Sequence, residues 1–171
     1  MTPNSPVIKE GNTPCPGCGA LVSSSPGPTH AYIGASPGCW ATYGMVLARE
    51  YSDPRYFRVH RVTVDAYAAQ HPGQASRRSI QSVAVHLIGL YAVLQLGHNN
   101  RRATEAVRKA ADSSDRFVWL EPPDSRGTVT VLDVAAALNP AEHQSVVLRW
   151  AHSIWDSWKA NHQTVQRWAG N

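Results

Sequence analysis

Three cysteines are the residues of this chain best suited to hold a metal ion. Cys15 and Cys18 flank a Pro-Gly pair, and such a tight turn points two thiolates at one ion. Cys39 supplies a third thiolate at the expected start of a helix, where the helix dipole favours negative charge. His30 lies between them, so the spacing reads C-x2-C-x11-H-x8-C. The sequence therefore predicts a zinc-knuckle-like site. Its predicted ligands are Cys15, Cys18, His30 and Cys39, with zinc as the metal and iron as the alternative.

The fourth ligand of this site stays open. His60 or His71 could replace His30 if the fold brings either side chain close. Two other interpretations also apply. Cys39 could be an ordinary buried small hydrophobic residue, and the C-x2-C pair could be a thiol redox motif. The redox interpretation is disfavoured because no βαβ pattern surrounds the motif.

A second candidate site centres on the segment VHRVTVDAYAAQHP, which carries many titratable side chains for a helix-like run. Helical geometry places His60, Tyr67 and His71 on nearly one line, but the two histidines are roughly 16 Å apart and cannot share an ion. A short loop makes the following helix antiparallel, so His86 reaches the level of Asp65. The predicted catalytic residues of this pocket are His60, Asp65, Tyr67 and His86. Asp65 or Tyr67 would move a proton there. In the simpler alternative, Asp65 holds His86 by a hydrogen bond and has no catalytic role.

The elements that must position these residues divide the chain in two. Residues 1–38 are rich in proline and glycine, a composition that resists both helix and strand. We predict an irregular lobe there that needs a metal to tether it. Residues 39–171 show the apolar spacing of helices and are predicted to form a helical bundle. Both parts belong to a single domain, which is large enough to bury a substantial core.

The apolar periodicity and the breakers place the helices of this bundle. Helices are predicted over residues 39–51, 56–70, 79–96, 102–111 and 140–168, with a shorter one near 133–138. The segment 128–132 alternates in polarity and is predicted to be a short strand. The last helix has no internal breaker and would extend over roughly 40 Å. The sequence therefore predicts a mainly α fold, a bundle of four to six helices with an irregular Pro/Gly-rich lobe at its N-terminus.

Composition restricts the function classes further. Apolar residues make up 43% of the 171 residues and charged residues 16%, which indicates a globular chain. The net charge of +4 is mildly basic and the arginines are dispersed, so nucleic-acid binding is disfavoured. No signal peptide is recognisable, and no apolar run reaches the roughly 20 residues that span a bilayer. We expect a soluble protein of the cytoplasm that does not associate with membranes.

Four blocks of the sequence carry a resemblance to a known family. They are CPGCGA, PTHAYIGASPGCWATYG, VHRVTVDAYAAQHPG and SIQSVAVHL. Together they resemble a family of bacterial proteins known only as a domain of unknown function, over about residues 15–87. The candidate cysteines, histidines and Asp65 all fall inside these blocks. The resemblance implies no activity.

Three functional hypotheses follow, and the sequence does not decide whether the protein is an enzyme. In the first, a structural zinc ties the N-terminal lobe to the bundle, and the protein binds a partner protein. In the second, a metalloenzyme pocket of His60, Asp65 and His86 activates water or a small-molecule substrate. The third is nucleic-acid binding through the arginines and the zinc lobe, against which the lack of a recognisable reading helix counts.

Overall fold

The protein is mainly helical, as the sequence predicts. The computed structural model describes residues 11–170, so residues 1–10 of the predicted lobe and Asn171 lie outside the described part. The strands are β1 (Asn12–Pro14) and β2 (Leu21–Ser23), and the helices are α1 (Pro37–Ser52), α2 (Pro54–Phe57), α3 (His60–Gln70), α4 (Arg77–Leu94), α5 (Asn100–Ala111), α6 (Val131–Ala135), α7 (Pro140–Ser157) and α8 (His162–Ala169). Short 3-10 turns occur at Ser114–Arg116 and Lys159–Asn161.

The two strands form an antiparallel hairpin in which Pro14 pairs with Leu21. The connecting turn is closed by hydrogen bonds from Cys15 N–H to the Ala20 carbonyl at 2.9 Å and from Gly19 N–H to the Cys15 carbonyl at 2.8 Å. Gly19 has φ +75°, a left-handed conformation that glycine adopts without strain. Residues 12–23 are thus more regular than the proline and glycine content of this part of the chain predicts.

The long helices begin where the sequence offers a capping side chain. The caps are Ser36 for α1, Ser76 for α4, Asn99 for α5 and Asn139 for α7. Each accepts a hydrogen bond from a backbone N–H of the first helical turn, which otherwise has no partner within the helix. The Ser36 cap matters most for the site, because its hydroxyl accepts from the N–H of Cys39 and fixes where that cysteine enters α1.

Helix α4 lies at the centre of the bundle and packs against α3, α5, α7 and α8. Its Leu87, Ile88 and Leu90 are fully buried. Burying each such side chain stabilises the fold by about 1.5–3 kcal/mol.

Trp150 and Trp158 are also buried in the core, and both have partners for their indole N–H groups. Trp150 donates to the Gln70 side chain at 2.9 Å, and Trp158 donates to a backbone carbonyl of α3 at 3.1 Å.

The prediction of one continuous last helix is wrong. Helix α7 ends before Trp158, whose backbone leaves the helical conformation with φ −89° and ψ 14°. Trp158 turns its indole N–H to the Ala69 carbonyl of α3, at 3.1 Å. His162, at the start of α8, donates to the Trp155 carbonyl at 2.8 Å and stacks on that indole. At the break Trp158 contacts α3 and His162 contacts Trp155, and an apolar pattern alone predicts neither contact.

Two local differences account for the other departures from the predicted elements. The predicted helix over 56–70 splits into α2 and α3, because Asp53 caps a separate first turn by accepting from Arg55 N–H at 2.8 Å. The predicted strand over 128–132 instead contains Thr130, which begins α6 through a capping box with Asp133. The split of the predicted helix over 56–70 and the break after α7 turn the six predicted helices into the eight helices found in the described part of the chain. None of those eight has the length and apolar character needed to cross a membrane.

Candidate metal centre

The side chains of Cys15, Cys18, Cys39 and His71 converge on one point. Their sulfur and ring-nitrogen atoms all lie within 4.8 Å of one another. The Cys18 and Cys39 Sγ atoms are 3.9 Å apart, and Nε2 of His71 lies 3.4 Å from Cys39 Sγ. A tetrahedral zinc ion, with bonds of about 2.3 Å to sulfur and about 2.0 Å to nitrogen, requires separations of about 3.8 Å and about 3.5 Å respectively. All three cysteines are free thiols. The four side chains therefore fit one tetrahedral metal ion.

Three segments distant in sequence supply these four ligands. The hairpin turn carries Cys15 and Cys18, the first turn of α1 carries Cys39, and His71 caps the C-terminal end of α3. The turn lies directly on the histidine ring. A Cβ atom on Gly17 would lie 2.3 Å from His71 Cδ2 and 2.5 Å from the Gly34 carbonyl oxygen. Only glycine fits there, so the Pro-Gly pair brings the turn into contact with its fourth ligand.

His71 is held in a fixed orientation by contacts within the protein. Its Nδ1 lies 2.8 Å from the Tyr67 carbonyl oxygen, one helical turn back. Because a carbonyl only accepts, Nδ1 carries a proton, and Nε2 is the nitrogen that faces the sulfurs and would bind the ion. The ring is fully buried and stacks on Tyr67, with 4.1 Å between the ring centroids. Such an outer partner is typical of metal-binding histidines, since it fixes both the tautomer and the ring orientation.

Two hydrogen-bond donors approach the sulfurs from outside the cluster. The Ser36 N–H donates to Cys15 Sγ at 3.4 Å, and the Tyr67 hydroxyl donates to Cys39 Sγ at 3.5 Å. Both contacts stabilise negative charge on sulfur. Cys15 and Cys39 are buried, and Cys18 is half-buried. The cluster is thus enclosed by protein on most sides.

The four groups compete for protons. Hydrogen bonds with Cys18 and Cys39 lower the pKa of Cys15 far below its ordinary value, whereas the bond with Cys15 raises the pKa of Cys39. Burial by itself lowers the pKa of His71, but hydrogen bonds with Cys15 and Cys18 outweigh it and raise that pKa to about 9. Burial and the nearby Cys39 raise the pKa of Tyr67, so its phenol stays protonated and donates. One thiolate therefore forms readily, and a divalent cation would favour ionisation of the remaining thiols.

All four residues lie within the part of the chain that matches a known family. A model described as "Family of unknown function (DUF5946)" matches residues 13–159. The chain belongs to this family. No curated protein and no solved structure matches it. The resemblance inferred from the sequence blocks is confirmed.

In this DUF5946 protein His30 lies outside the cluster, which corrects its prediction as a ligand. Its ring packs against Tyr32 and Trp40, at 4.3 Å and 5.5 Å between ring centroids. His71, one of the two alternatives left open by the sequence, takes its place. The reason is a backbone contact that spacing does not reveal. The Gly34 N–H donates to the His71 carbonyl at 2.9 Å, so the segment after His30 runs along the end of α3.

The second predicted site, the pocket of four catalytic residues, is divided among three places. Nδ1 of His86 lies 2.8 Å from Asp65 Oδ1, as in the simpler alternative. His60 contacts the Glu50 carboxylate at 2.8 Å, and Tyr67 belongs to the metal centre. His60 and Asp65 are five residues apart on α3, a rotation of about 140°, so they leave the helix on different sides. The catalytic role of these residues stays a prediction.

Glu50 forms a buried polar centre that the sequence analysis missed. Its carboxylate is fully buried and accepts from Thr63, from His60 Nδ1 at 2.8 Å and from His143 Nε2 at 2.9 Å. These bonds connect α1, α3 and α7. The sequence does contain one signal of this centre. Glu50 and His143 occupy positions on the buried faces of their helices. A polar side chain on such a face needs polar partners from elsewhere in the fold.

Proposed function

We propose that this protein binds one zinc ion through Cys15, Cys18, Cys39 and His71, and that the ion ties the N-terminal hairpin to the helical bundle. The observation that carries the proposal is the convergence of four donor atoms within 4.8 Å from three segments of the chain. Three thiolates with one imidazole form a common structural zinc set. Iron is the alternative, but soft sulfur ligands in a tetrahedral arrangement favour zinc.

A structural role is favoured because the protein fills all four positions around the ion. A catalytic zinc keeps one position open for water or substrate, whereas a structural zinc is closed by its ligands. The fully buried Cys39 and His71 leave little room for a fifth group. We therefore place this protein among binding modules with a partner protein rather than among metalloenzymes. A reducing compartment such as the cytoplasm suits it, because the three thiols stay available to the ion there.

The ion would contribute most to the stability of the N-terminal hairpin. The hairpin has strands of three residues each, and an isolated two-stranded hairpin is marginally stable in water. A structural zinc supplies folding free energy directly, because the unfolded chain has no preformed site. Loss of the ion should therefore release the hairpin from α1 and α3, while the large core around α4 keeps the helices folded.

Elemental analysis of the protein purified without added metal tests this proposal. We expect one zinc ion per chain in the unaltered protein, and loss of that zinc in Cys39→Ser and His71→Ala. The matched control is His30→Ala, which removes a histidine close in sequence but outside the cluster and should retain the ion. Circular dichroism and limited proteolysis of each variant separate a released hairpin from a fully unfolded chain.

Three outcomes would contradict it. Protein free of metal would refute the zinc site, and iron in place of zinc would refute the assigned element. Zinc lost equally in His30→Ala and His71→Ala would refute the ligand set. Loss of a second ion in His60→Ala or His86→Ala would instead support the metalloenzyme alternative.

A further inference from the structure

A cleft beside α4 contains a second group of chemically active side chains, separate from the metal centre. Its volume is about 410 Å³. Five of its lining residues come from successive turns of α4, and one wall comes from the loop before α1. The lining residues are Tyr32, Arg78, Gln81, Ser82, Val85 and His86.

The imidazole in this cleft is held in a fixed orientation. Nδ1 of His86 lies 2.8 Å from Oδ1 of Asp65, whose carboxylate is only 1% exposed. The other oxygen of Asp65 accepts from Arg61 Nε at 2.7 Å. Arg61 therefore holds the carboxylate in place, and the carboxylate fixes the ring. Because Nδ1 is occupied, Nε2 is the nitrogen that His86 offers to a molecule in the cleft.

A glycine in α4 makes room for this arrangement. A Cβ atom at Gly89 would lie 2.2 Å from Oδ2 of Asp65 and 3.0 Å from Nη2 of Arg61. Gly89 is in the interior of α4, where glycine costs about 1 kcal/mol relative to alanine. The helix thus carries a destabilising residue at the one turn where the buried carboxylate enters. This supports a dedicated Asp65–His86 pair rather than an incidental contact.

The charges of the cleft favour a negatively charged ligand. Arg78 is exposed, and no hydrogen bond or ion pair joins its guanidinium to another described residue. None of the lining residues is acidic. Gln81 and Ser82 add neutral hydrogen-bonding groups between Arg78 and His86. A free guanidinium with an oriented imidazole and side-chain donors is a chemistry that recognises carboxylate and phosphate oxygens.

The wall opposite α4 comes from the segment between the hairpin and α1, which packs against the residues that follow α3. Ile33 pairs with Pro72 in an isolated bridge. The Tyr32 carbonyl lies so close to Gly73 that a Cβ atom there would be 2.7 Å away. These contacts position the Tyr32 ring over the cleft. The cleft therefore depends on a correctly seated N-terminal segment, although none of its lining residues is a metal ligand.

We propose that this cleft binds a small oxyanion-bearing molecule, with Arg78 pairing with the anion and His86 Nε2 forming a hydrogen bond to it. Asp65 is a positioning residue that acts through His86. The oxyanion is a carboxylate or a phosphate group, since both match the guanidinium. This site goes beyond the zinc centre and does not depend on the identity of the metal.

Histidine side-chain signals in the magnetic resonance spectrum of the protein as purified provide the test. Inorganic phosphate and acetate are titrated separately into isotope-labelled protein. We expect the His86 signals to shift with saturation in at least one titration, while those of His152, an exposed histidine on α7, stay in place. The anion that saturates at lower concentration identifies the group that the cleft prefers.

Two arginine variants sharpen the test, because both residues are exposed and the fold does not depend on them. Arg78→Ala should weaken the binding about tenfold or more, as expected when a charge-assisted contact is lost. Arg108→Ala on α5 removes an equal charge elsewhere and should leave the affinity unchanged. His86 signals that do not shift with either anion would overturn the proposal. So would equal shifts at His152, or equal weakening by the two arginine variants.

Discussion

Gly17→Ala gives the sharpest test of how the hairpin meets its fourth ligand. The new Cβ atom would lie 2.3 Å from His71 Cδ2 and 2.5 Å from the Gly34 carbonyl oxygen, whereas an ordinary contact begins at 3.4 Å. Each neighbour must therefore move by about 1 Å. Neither moves easily. The His71 ring is fully buried against Tyr67, and Gly34 is held by its N–H bond to the His71 carbonyl at 2.9 Å.

Relief of this overlap must separate the turn from the histidine, which is the geometry that the metal needs. Overpacking a well-filled site costs about 1–3 kcal/mol. If that cost falls on the metal-bound form, the zinc affinity decreases about 5- to 150-fold, since 1.4 kcal/mol corresponds to a factor of ten. Competition with a chromogenic chelator of known affinity measures this change directly.

Gly11→Ala is the matched control for this prediction. It makes the same substitution just before the same hairpin, but a Cβ atom there meets nothing within 4 Å. We expect its zinc affinity to stay within about twofold of that of the unaltered protein, because a substitution away from any close contact has little effect. Equal affinities for Gly17→Ala and Gly11→Ala, with both variants folded by circular dichroism, would refute the reasoning.

Three further predictions concern the stability of the fold and of the zinc site. Glu50→Gln should lower the free energy of unfolding by at least about 1–3 kcal/mol, because the amide offers a donor to groups that need an acceptor; the exposed Glu105→Gln should change it by less than about 1 kcal/mol. Urea unfolding followed by tryptophan fluorescence compares the two, and equal values would contradict a special role for the buried carboxylate. Gly44→Ala, at an exposed position of α1 with nothing within 4 Å, should raise the melting temperature, since alanine favours helix by about 1 kcal/mol; an unchanged or lower melting temperature would count against the helical geometry there. Acidification should release the zinc before the helices unfold, because thiolates exchange the metal for protons; simultaneous loss of zinc and of the helical circular dichroism signal would argue against a separately tethered hairpin.

Much of the fold could be predicted from the sequence, because it depends on the chemistry of neighbouring residues. The Pro-Gly pair between Cys15 and Cys18 predicts a tight turn with both thiols on one side. The start of α7 follows from Asn139 and Pro140, because a cap and a fixed φ act on the backbone next to them. The mainly α class follows from apolar spacing in the same way. Each of these features depends on interactions between residues a few positions apart.

Long-range packing determined the contacts that the sequence did not predict. His30 has the better spacing for a fourth ligand, but His71 reaches the sulfurs because the chain folds back along the end of α3. Glu50 and His143 are 93 positions apart and meet only when α1 and α7 pack together. The sequence by itself determined which groups could bind a metal and which stretches of the chain are mainly helical. The tertiary structure decided which of those groups meet, because contacts between distant segments depend on how whole helices pack, and no local spacing encodes that.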